Sequence, residues 1–509
     1  MVGKRLLLFI LFICPGILAS SQKIIYSEPD RDDSRRMDFE IVGKIGGNFL
    51  LYKNTRNKVW ISVLDNDMQQ LAKAEQDYVP DNDRLINVDF FPYNDFCYMV
   101  YQYQKKNVVY CMASKIGSDG KKIGNIVELD TTHIGFAANN KIYTVLSSED
   151  KSKLVVFKIN SKNKRSYLMT THLLNDKLEL LKKSRLAVPM EERNDYINDF
   201  YIDNDGDMVF TKFFRNNNDN ISKAAFVVKY AQADTLAMKE LNIEKTWLDE
   251  IHIKVDNANK RYVLTSFYFQ ERKGNVDGFY FYIWDKTTAQ PFFETTSAFS
   301  DELRKEARGD ASVKTAFNDY FIKNIITRKD GGFIIGTEAY YTTSRFNNWN
   351  RWDYLYGSPY MSTFNNSNYY SPYNSDYFWR SRSSNQAVRY HADNITVLSF
   401  DNKGKLEWNN VMGKSQYDDE SDDLLSYQLM NTGGQIHFLF NQQERRNNLL
   451  SDYNIAPDGA MTRSPTLKNL DKGYEFMPKY GKQVSARQMI VPCLYRNYIC
   501  FAKIDYTQN

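Results

Sequence analysis

Two neighbouring stretches in the middle of the chain decide its fold class: residues 261–266 read RYVLTS and residues 279–284 read FYFYIW. Both are short runs rich in β-branched and aromatic residues, a composition typical of β-strands. The same pairing of strand-like runs occurs at residues 206–211 with 225–230 and at residues 332–337 with 395–400. Units that restart roughly every 45 to 65 residues in this way are typical of a β-propeller.

The repeat predicts an all-β propeller of about eight blades, with seven as the alternative because the third unit is stretched. The last unit is one strand short, and residues 23–26 (KIIY) have no partner within their own unit. We therefore expect this N-terminal strand to become the outer strand of the last blade, which would close the ring and cover an edge. The acidic residues 28–33 that follow are expected to be disordered.

Composition supports an aromatic-rich β protein. The chain has 509 residues with 36 Tyr and 32 Phe, and both residue types favour half-buried pleated surfaces. The formal net charge is only +4, and basic and acidic residues are interspersed along the chain. This balance argues against a nucleic-acid partner.

The N-terminus predicts export. Lys4 and Arg5 precede an apolar stretch at residues 6–13, and residues 17–19 (ILA), which end in the small residue Ala19, supply a cleavage site. We interpret residues 1–21 as a signal peptide and residues 22–509 as a single propeller domain in the periplasm, at the outer envelope or outside the cell. Cys14 lacks the small preceding residue that lipid attachment requires. No later stretch reaches about 18 apolar residues, so no transmembrane segment is expected.

Four cysteines remain after the signal peptide. A two-residue turn at residues 496–497 would place Cys493 directly opposite Cys500 across a hairpin. Cys97 and Cys111 flank a similar centre near Gln104. An oxidising compartment would permit a disulfide in both hairpins. The alternative is that all four are free thiols in the core.

One segment interrupts the repeat. Residues 341–393 are rich in Tyr, Asn, Ser and Trp and separate the two middle strands of the sixth unit. Long loops in compact domains are commonly functional or disordered, and both interpretations stay open. Rigid aromatic residues among adaptable polar ones are typical of a recognition surface. The candidate binding residues are Trp349, Trp352, Tyr354, Tyr356, Tyr369, Tyr370, Tyr377 and Trp379.

Chemical motifs are sparse. Residues 203–207 (DNDGD) and 418–423 (DDESDD) are rich in carboxylates, but we interpret the first as a hairpin turn and the second as a solvated loop, with calcium as a minor option. No nucleophile elbow, metalloprotease helix or phosphate loop is present. Asp199 and Glu338 could face a propeller channel, but glycosidic cleavage needs carboxylates about 5 to 10 Å apart. No catalytic residue, metal ligand or cofactor is assigned.

Three stretches carry a resemblance to a group of proteins: residues 203–206 (DNDG), 329–338 (KDGGFIIGTE) and 395–408 (ITVLSFDNKGKLEW). They resemble uncharacterised exported β-propeller-like proteins of Bacteroidota, in which a Tyr-rich insertion at the sixth unit also tends to appear. The resemblance extends loosely over most of the chain. It implies an envelope or secreted location and transfers no catalytic residue.

Two functional hypotheses follow. The first is a non-enzymatic propeller of the cell envelope that binds a protein or glycan, or acts as a scaffold, through the aromatic insertion. The alternative is a carbohydrate-active propeller enzyme, a glycoside hydrolase or lyase, that uses carboxylates in the channel. The sequence favours the first.

Overall fold

The structure is a computed structural model of the chain. It describes residues 23–55, 58–80, 85–138, 141–163, 165–216, 219–309, 311–344, 351, 355, 369–370, 388–419, 421–444, 447–464 and 473–506. The predicted signal peptide and six of the eight candidate binding residues lie outside these ranges. No helix in the described ranges is both long and apolar enough to cross a bilayer.

The described residues form eight blades of antiparallel strands, and a short strand joins blades 4 and 5 into one continuous sheet. The first four blades contain, from the inner to the outer strand, β2 Asp38–Ile45, β3 Asn48–Thr55, β4 Lys58–Leu64 and β5 Gln70–Glu75; β6 Leu85–Pro92, β7 Phe96–Lys105, β8 Val108–Gly117 and β9 Lys122–His133; β10 Tyr143–Ser147, β11 Lys153–Asn163, β12 Ser166–Asn175 and β13 Leu180–Pro189; and β14 Asp195–Ile202, β15 Met208–Arg215, β16 Ile221–Lys229 and β17 Ala237–Glu240.

The short strand β18 (Trp247–Leu248) pairs with strands of both blade 4 and blade 5. The remaining blades contain β19 His252–Asp256, β20 Arg261–Phe269, β21 Gly278–Asp285 and β22 Gln290–Ala298; β23 Tyr320–Thr327, β24 Phe333–Ser344, β26 Val388–Phe400 and β27 Leu406–Asp418; β28 Tyr427–Asn431, β29 Ile436–Glu444, β30 Asn447–Ile455 and β31 Met461–Arg463; and β32 Tyr474–Phe476, β33 Lys482–Ser485, β34 Gln488–Tyr495 and β35 Tyr498–Asp505. Helix α1 (Asp301–Ala307) joins blades 5 and 6, and a 3₁₀ turn at Pro478–Tyr480 separates β32 from β33.

Apolar side chains fill the boundary between every pair of neighbouring blades. Eight hydrophobic clusters each combine residues of two adjacent blades, and one of them joins blade 8 to blade 1. At that boundary the rings of Phe39 and Phe501 meet edge to face at 5.2 Å. Between blades 5 and 6, Phe281 and Phe400 lie 4.8 Å apart. The aromatic-rich strands predicted from the sequence repeat therefore build a closed ring of eight blades.

The N-terminal strand β1 (Lys23–Tyr26) closes the ring as predicted. It pairs antiparallel with β35, with Lys23 opposite Asp505 and Tyr26 opposite Ala502. Blade 8 thus takes its outermost strand from the start of the chain, which satisfies backbone groups that would otherwise form an open edge.

The expected disorder of the acidic stretch after β1 is wrong. Asp33 is buried and forms an ion pair with Lys53 at 2.7 Å. Asp30 and Asp32 both pair with Lys73, at 2.6 and 2.9 Å. Charge density alone suggested a solvated leader, but lysines of blade 1 neutralise these carboxylates and hold the stretch against the ring.

The turn between β14 and β15 confirms the hairpin interpretation of residues 203–207. Gly206 adopts a left-handed conformation with φ of 91°, and Asp203 Oδ1 accepts the backbone N–H groups of Asp205 and Asp207. Lys286 of blade 5 pairs with all three carboxylates, at 2.6 Å from Asp205 and 2.9 Å from Asp207. An ammonium group therefore lies where the sequence left calcium as an option. No group of three His, Cys, Asp or Glu side chains in the described ranges is arranged as a metal site.

Candidate functional site

The insertion begins where two long strands of blade 6 leave the ring. Strands β24 and β26 remain paired out to Ser344 opposite Val388, so the interruption of the sheet spans residues 345–387. On one side of this extension, Tyr340 and Tyr390 are buried against Phe321 of β23. The first and last residues of the predicted insertion are thus part of the blade and share its packing.

Every blade starts with its inner strand, so the starts of the inner strands lie at one end of the ring. We call this end the insertion face, marked by Phe39, Asp249 and Tyr320, because the extension of blade 6 leads to it. The short strand β25 (Tyr369–Tyr370) pairs here with the inner strand of blade 1, with Tyr370 opposite Phe39 and Tyr369 opposite Glu40. Blades 7 and 8 separate blade 6 from blade 1, so the insertion reaches across the ring.

Arg351 fixes a second point of the insertion. Its guanidinium is buried against Asp249, with Nε 3.0 Å from Oδ2 of the carboxylate. Nη1 donates to the backbone carbonyls of Asn318 and Tyr320, at 3.0 Å for Asn318. The guanidinium carbon also lies 4.3 Å from the ring centroid of Phe321. A buried arginine with this full set of acceptors ties the insertion to the connections before blades 5 and 6.

Of the predicted binding residues, only Tyr369 and Tyr370 lie within the described ranges, and their backbone forms β25. The other six are Trp349, Trp352, Tyr354, Tyr356, Tyr377 and Trp379, and they lie outside the described ranges. Their role in binding therefore stays a prediction.

The other side of the blade 6 extension carries an aromatic row. Tyr341, His391 and Tyr417 are directly opposed across β24, β26 and β27. Tyr341 and His391 stack at 4.4 Å, and Arg389 lies 4.6 Å above the Tyr417 ring. Burial lowers the pKa of His391, which favours the neutral imidazole. Tyr417 is 50 % exposed, so this row adds an aromatic surface beside the insertion.

The acidic run after β27 is only partly solvated, in contrast to the prediction. Asp419 is exposed and paired with Arg389 at 2.7 Å, whereas Asp423 is buried and accepts the Tyr480 hydroxyl at 3.0 Å. Asp422 pairs with Lys479 at 2.7 Å. Burial opposes ionisation, but Lys479 prevails and holds the pKa of Asp422 below its usual value. The run therefore ties blade 7 to blades 6 and 8.

Asp199 combines backbone strain with burial. It lies on the inner strand of blade 4 with a φ of 61°, within an irregularity of the pairing between Asn198 and Tyr201. The Ile253 N–H of blade 5 donates to its Oδ2. Burial raises the pKa of Asp199 to about 7. Non-glycine residues in this conformation cost about 1–3 kcal/mol and cluster at functional sites.

Three titratable groups surround Asp199. The Tyr201 hydroxyl bonds to its carboxyl, and Tyr201 is 40 % exposed although it lies on an inner strand. Glu250 and His252 of the neighbouring blade 5 interact electrostatically with Asp199. His252 Nε2 lies 3.6 Å from Glu250 Oε2. The carboxyl is thus buried next to side chains that are partly exposed to solvent.

Glu338 has a different environment. It is fully buried and pairs with Lys414 at 2.9 Å, and the Ser426 hydroxyl also donates to it. Burial lowers the pKa of Lys414. The Lys414 ammonium also donates to the Ala392 carbonyl at 2.6 Å. Asp199 contacts residues of blade 5 and Glu338 contacts residues of blades 6 and 7, so the structure does not unite the two carboxylates named from the sequence.

The structure confirms the predicted register of one cysteine pair and contradicts that of the other. Cys493 lies directly opposite Cys500 across β34 and β35, so the predicted register is confirmed. The Cys97–Cys111 pairing is wrong, because the hairpin turns at residues 106–107 and places Gln102 opposite Cys111. The two side chains point to opposite sides of blade 2, into different hydrophobic clusters. All four thiols are free and buried, and the Cys493–Cys500 disulfide stays a prediction.

Sequence reasoning missed Arg351, its partner Asp249 and the groups around Asp199. Arg351 lies between Trp349 and Trp352, and a charged residue inside an aromatic run is only a weak signal for a buried anchor. Asp249 lies 102 residues from Arg351, and nothing local identifies that pairing. His252 lies at the start of β19, and its interaction with Asp199 of blade 4 depends on the packing of two neighbouring blades.

Comparison with known proteins adds no assignment of activity. No protein family and no curated protein matches the chain. A polysaccharide lyase of family PL25, an ulvan lyase, is similar with a TM-score of 0.36 and 11 % identity over 82 % of this chain and 92 % of the lyase. An uncharacterised protein of Listeria monocytogenes has a TM-score of 0.36 and 8 % identity, covering 81 % and 92 %. Prolyl oligopeptidase B of Galerina marginata has a TM-score of 0.40 and 9 % identity, covering 91 % and 56 %.

Proposed function

We propose that the protein is an exported binding or scaffold propeller of the cell envelope, which presents its blade 6 insertion to a protein or glycan. The observation that carries this proposal is the attachment of the insertion at two separate places on the ring. Arg351 is buried against Asp249, and Tyr369–Tyr370 adds a strand to blade 1. A random low-complexity loop would need neither contact.

The attachment has an energetic consequence for recognition. Trp349 and Trp352 lie two residues before and one residue after the buried Arg351 in the sequence. Fixing the backbone beside these residues removes conformational entropy before a partner arrives, so less is lost on binding. Tyr and Trp bury large areas with few rotatable bonds, which makes them efficient anchors for a protein surface or a sugar ring.

Alanine substitutions test this proposal. Trp349→Ala, Trp352→Ala and Trp379→Ala should each weaken binding in pull-downs from envelope extracts or on a glycan array, because buried aromatic anchors commonly cost about 2 kcal/mol or more on truncation. Arg345→Ala is a matched control from the same segment and should have a smaller effect. Equal binding by the wild type and all three tryptophan variants would reject the insertion as the recognition element.

A carbohydrate-active enzyme is the second candidate, favoured by the strained, buried Asp199 beside Tyr201 and His252. A carboxyl group whose pKa lies near 7 can both donate and accept a proton at neutral pH, as general acid–base catalysis requires. Asp199→Asn should abolish cleavage of a responsive polysaccharide while leaving the melting temperature similar at pH 6. Absence of activity in the wild type across neutral and acidic polysaccharides would remove this candidate.

A further inference from the structure

A cleft on blade 4 forms a second candidate site, separate from the insertion. Its volume is about 660 Å³, which lies in the range of roughly 300–1,000 Å³ typical of ligand pockets. The end of β15, the start of β16 and the connection from blade 4 to blade 5 form its walls. Its apolar lining includes Phe213, Phe214, Met238 and Trp247, and Met238 is 39 % exposed.

The rim of this blade 4 cleft is acidic. Glu191, Glu240 and Glu244 line it and are exposed. None of the three carboxylates has an ion pair or side-chain hydrogen bond with another residue in the described ranges. Lys245 is the one lining lysine that likewise has no such partner among the described residues.

The other two lysines of the cleft are already neutralised. Lys212 pairs with Asp195 at 3.2 Å, and Lys223 lies 3.7 Å from Glu192. Apart from these two pairs, three carboxylates and one ammonium group line the cleft, so the net charge of its unpaired groups is negative. The Lys223 ammonium also lies 5.6 Å from the Phe214 ring centroid, so one cation of the chain itself already packs against the aromatic lining of the cleft.

We propose that the blade 4 cleft binds a basic peptide segment of a partner protein, with a lysine or arginine side chain inserted over its apolar floor between the carboxylates of Glu191, Glu240 and Glu244. This goes beyond the proposed role of the insertion. The long stem of lysine or arginine packs on apolar surface while the charged end reaches polar groups. A cation over Trp247 or a Phe ring is attracted by the negative face of the ring, whereas an anionic ligand would be repelled by the rim.

Titration with the peptide acetyl-AKARA-amide tests this inference. Its binding to the full chain should be measurable by calorimetry and should weaken as salt is raised, because the rim charges are exposed. Glu240→Gln with Glu244→Gln should reduce the affinity at least tenfold. The matched control, Glu128→Gln with Glu306→Gln, removes the same charge from exposed sites on blade 2 and helix α1 and should leave the affinity unchanged.

Two further measurements separate this site from the insertion. Trp247→Phe should remove the change in tryptophan fluorescence that accompanies peptide binding, and a chain lacking residues 346–386 should bind the peptide as the wild type does. Equal binding of acetyl-AEAEA-amide, equal affinity of the Glu240/Glu244 variant and the control, or no binding of the basic peptide at millimolar concentration would overturn the proposal. Preferential binding of a neutral glycan that depends on the same glutamates would also overturn it.

Discussion

Blades 5 and 6 are neighbours with the same four-strand plan, but they differ where their two middle strands are joined. In blade 5, β20 ends at Phe269 and β21 begins at Gly278. In blade 6, residues 345–387 separate β24 from β26, and this segment is attached through Arg351 and Tyr369–Tyr370 to other blades. The repeated strands therefore build the ring, whereas the insertion makes contacts that closure of the ring does not require.

The largest expected effect concerns the ring. Removing residues 23–26 should lower the free energy of unfolding by several kcal/mol or cause aggregation, because β35 would lose its partner strand. Burial of one large apolar side chain alone contributes about 1.5–3 kcal/mol, and Ile24 and Tyr26 are both partly buried. Thermal unfolding and light scattering would measure this. Lys23→Ala, which keeps the strand, is the control, and an unchanged melting temperature of the truncated chain would contradict closure by β1.

A smaller effect is expected from the attachment of the insertion. Arg351→Ala leaves Asp249 without its guanidinium, and removing one partner of a buried ion pair costs about 3–5 kcal/mol where the other stays buried. We expect faster proteolysis within residues 345–387 while the blades remain protected. Arg389→Ala, which breaks an exposed pair on the same blade, should change the cleavage little. Identical cleavage rates for the wild type and Arg351→Ala would show that the anchor does not hold the insertion.

These two predictions rest on different kinds of information. The ring could be predicted because each strand shows its composition locally, and Lys23–Tyr26 lacked a partner in its own unit. The Cys493–Cys500 register followed from a two-residue turn, which is also local. The Cys97–Cys111 pairing failed because the turn lies two to three residues beyond the midpoint of the two cysteines. A slip by an odd number of residues sends paired side chains to opposite faces.

Less of the candidate site could be predicted. The aromatic composition of the insertion identified it as a departure from the repeat, but its contacts depend on the closed ring. Arg351 meets Asp249, and β25 meets the inner strand of blade 1, only once eight blades bring distant segments together. The strain at Asp199 is equally invisible in sequence, because it arises where β14 departs from regular pairing.

The stability of the folded chain should depend on pH through the buried carboxyl of Asp199. The folded-state pKa of Asp199 is about 7, above its ordinary value of 3.8, so its contribution to stability is fully present below pH 3.8 and is lost as pH rises through about 7. The unfolding free energy of the wild type relative to Asp199→Asn should therefore fall between about pH 4 and 8, by at most about 1.4 kcal/mol per pH unit.

Denaturant titrations at several pH values would measure this difference. Tyr201, Glu250 and His252 face Asp199, so the comparison should be repeated in a His252→Gln background. A difference between the two proteins that does not change with pH would show that Asp199 is ionised throughout.

The smallest effect concerns blade 8. Under mild oxidation, mass mapping without reductant should detect a Cys493–Cys500 linkage and none between Cys97 and Cys111. A bond across so short a loop adds at most about 2–3 kcal/mol in the chain-entropy model, and less where the hairpin is already ordered. The Cys500→Ser chain is the control for thiol accessibility. Recovery of both thiols unmodified after oxidation would exclude this disulfide.

The most direct test of the account is to replace residues 346–386 by a short Gly-Asn turn that joins the paired ends of β24 and β26. The account predicts that this chain keeps the cooperative unfolding of the ring and nearly all of its strand content, because of the described strands it loses only the two-residue β25 at the edge of blade 1. It also predicts the loss of the protein or glycan partner that the wild type retains in pull-downs and on glycan arrays. Unchanged partner binding by the folded deletion chain would contradict the central claim.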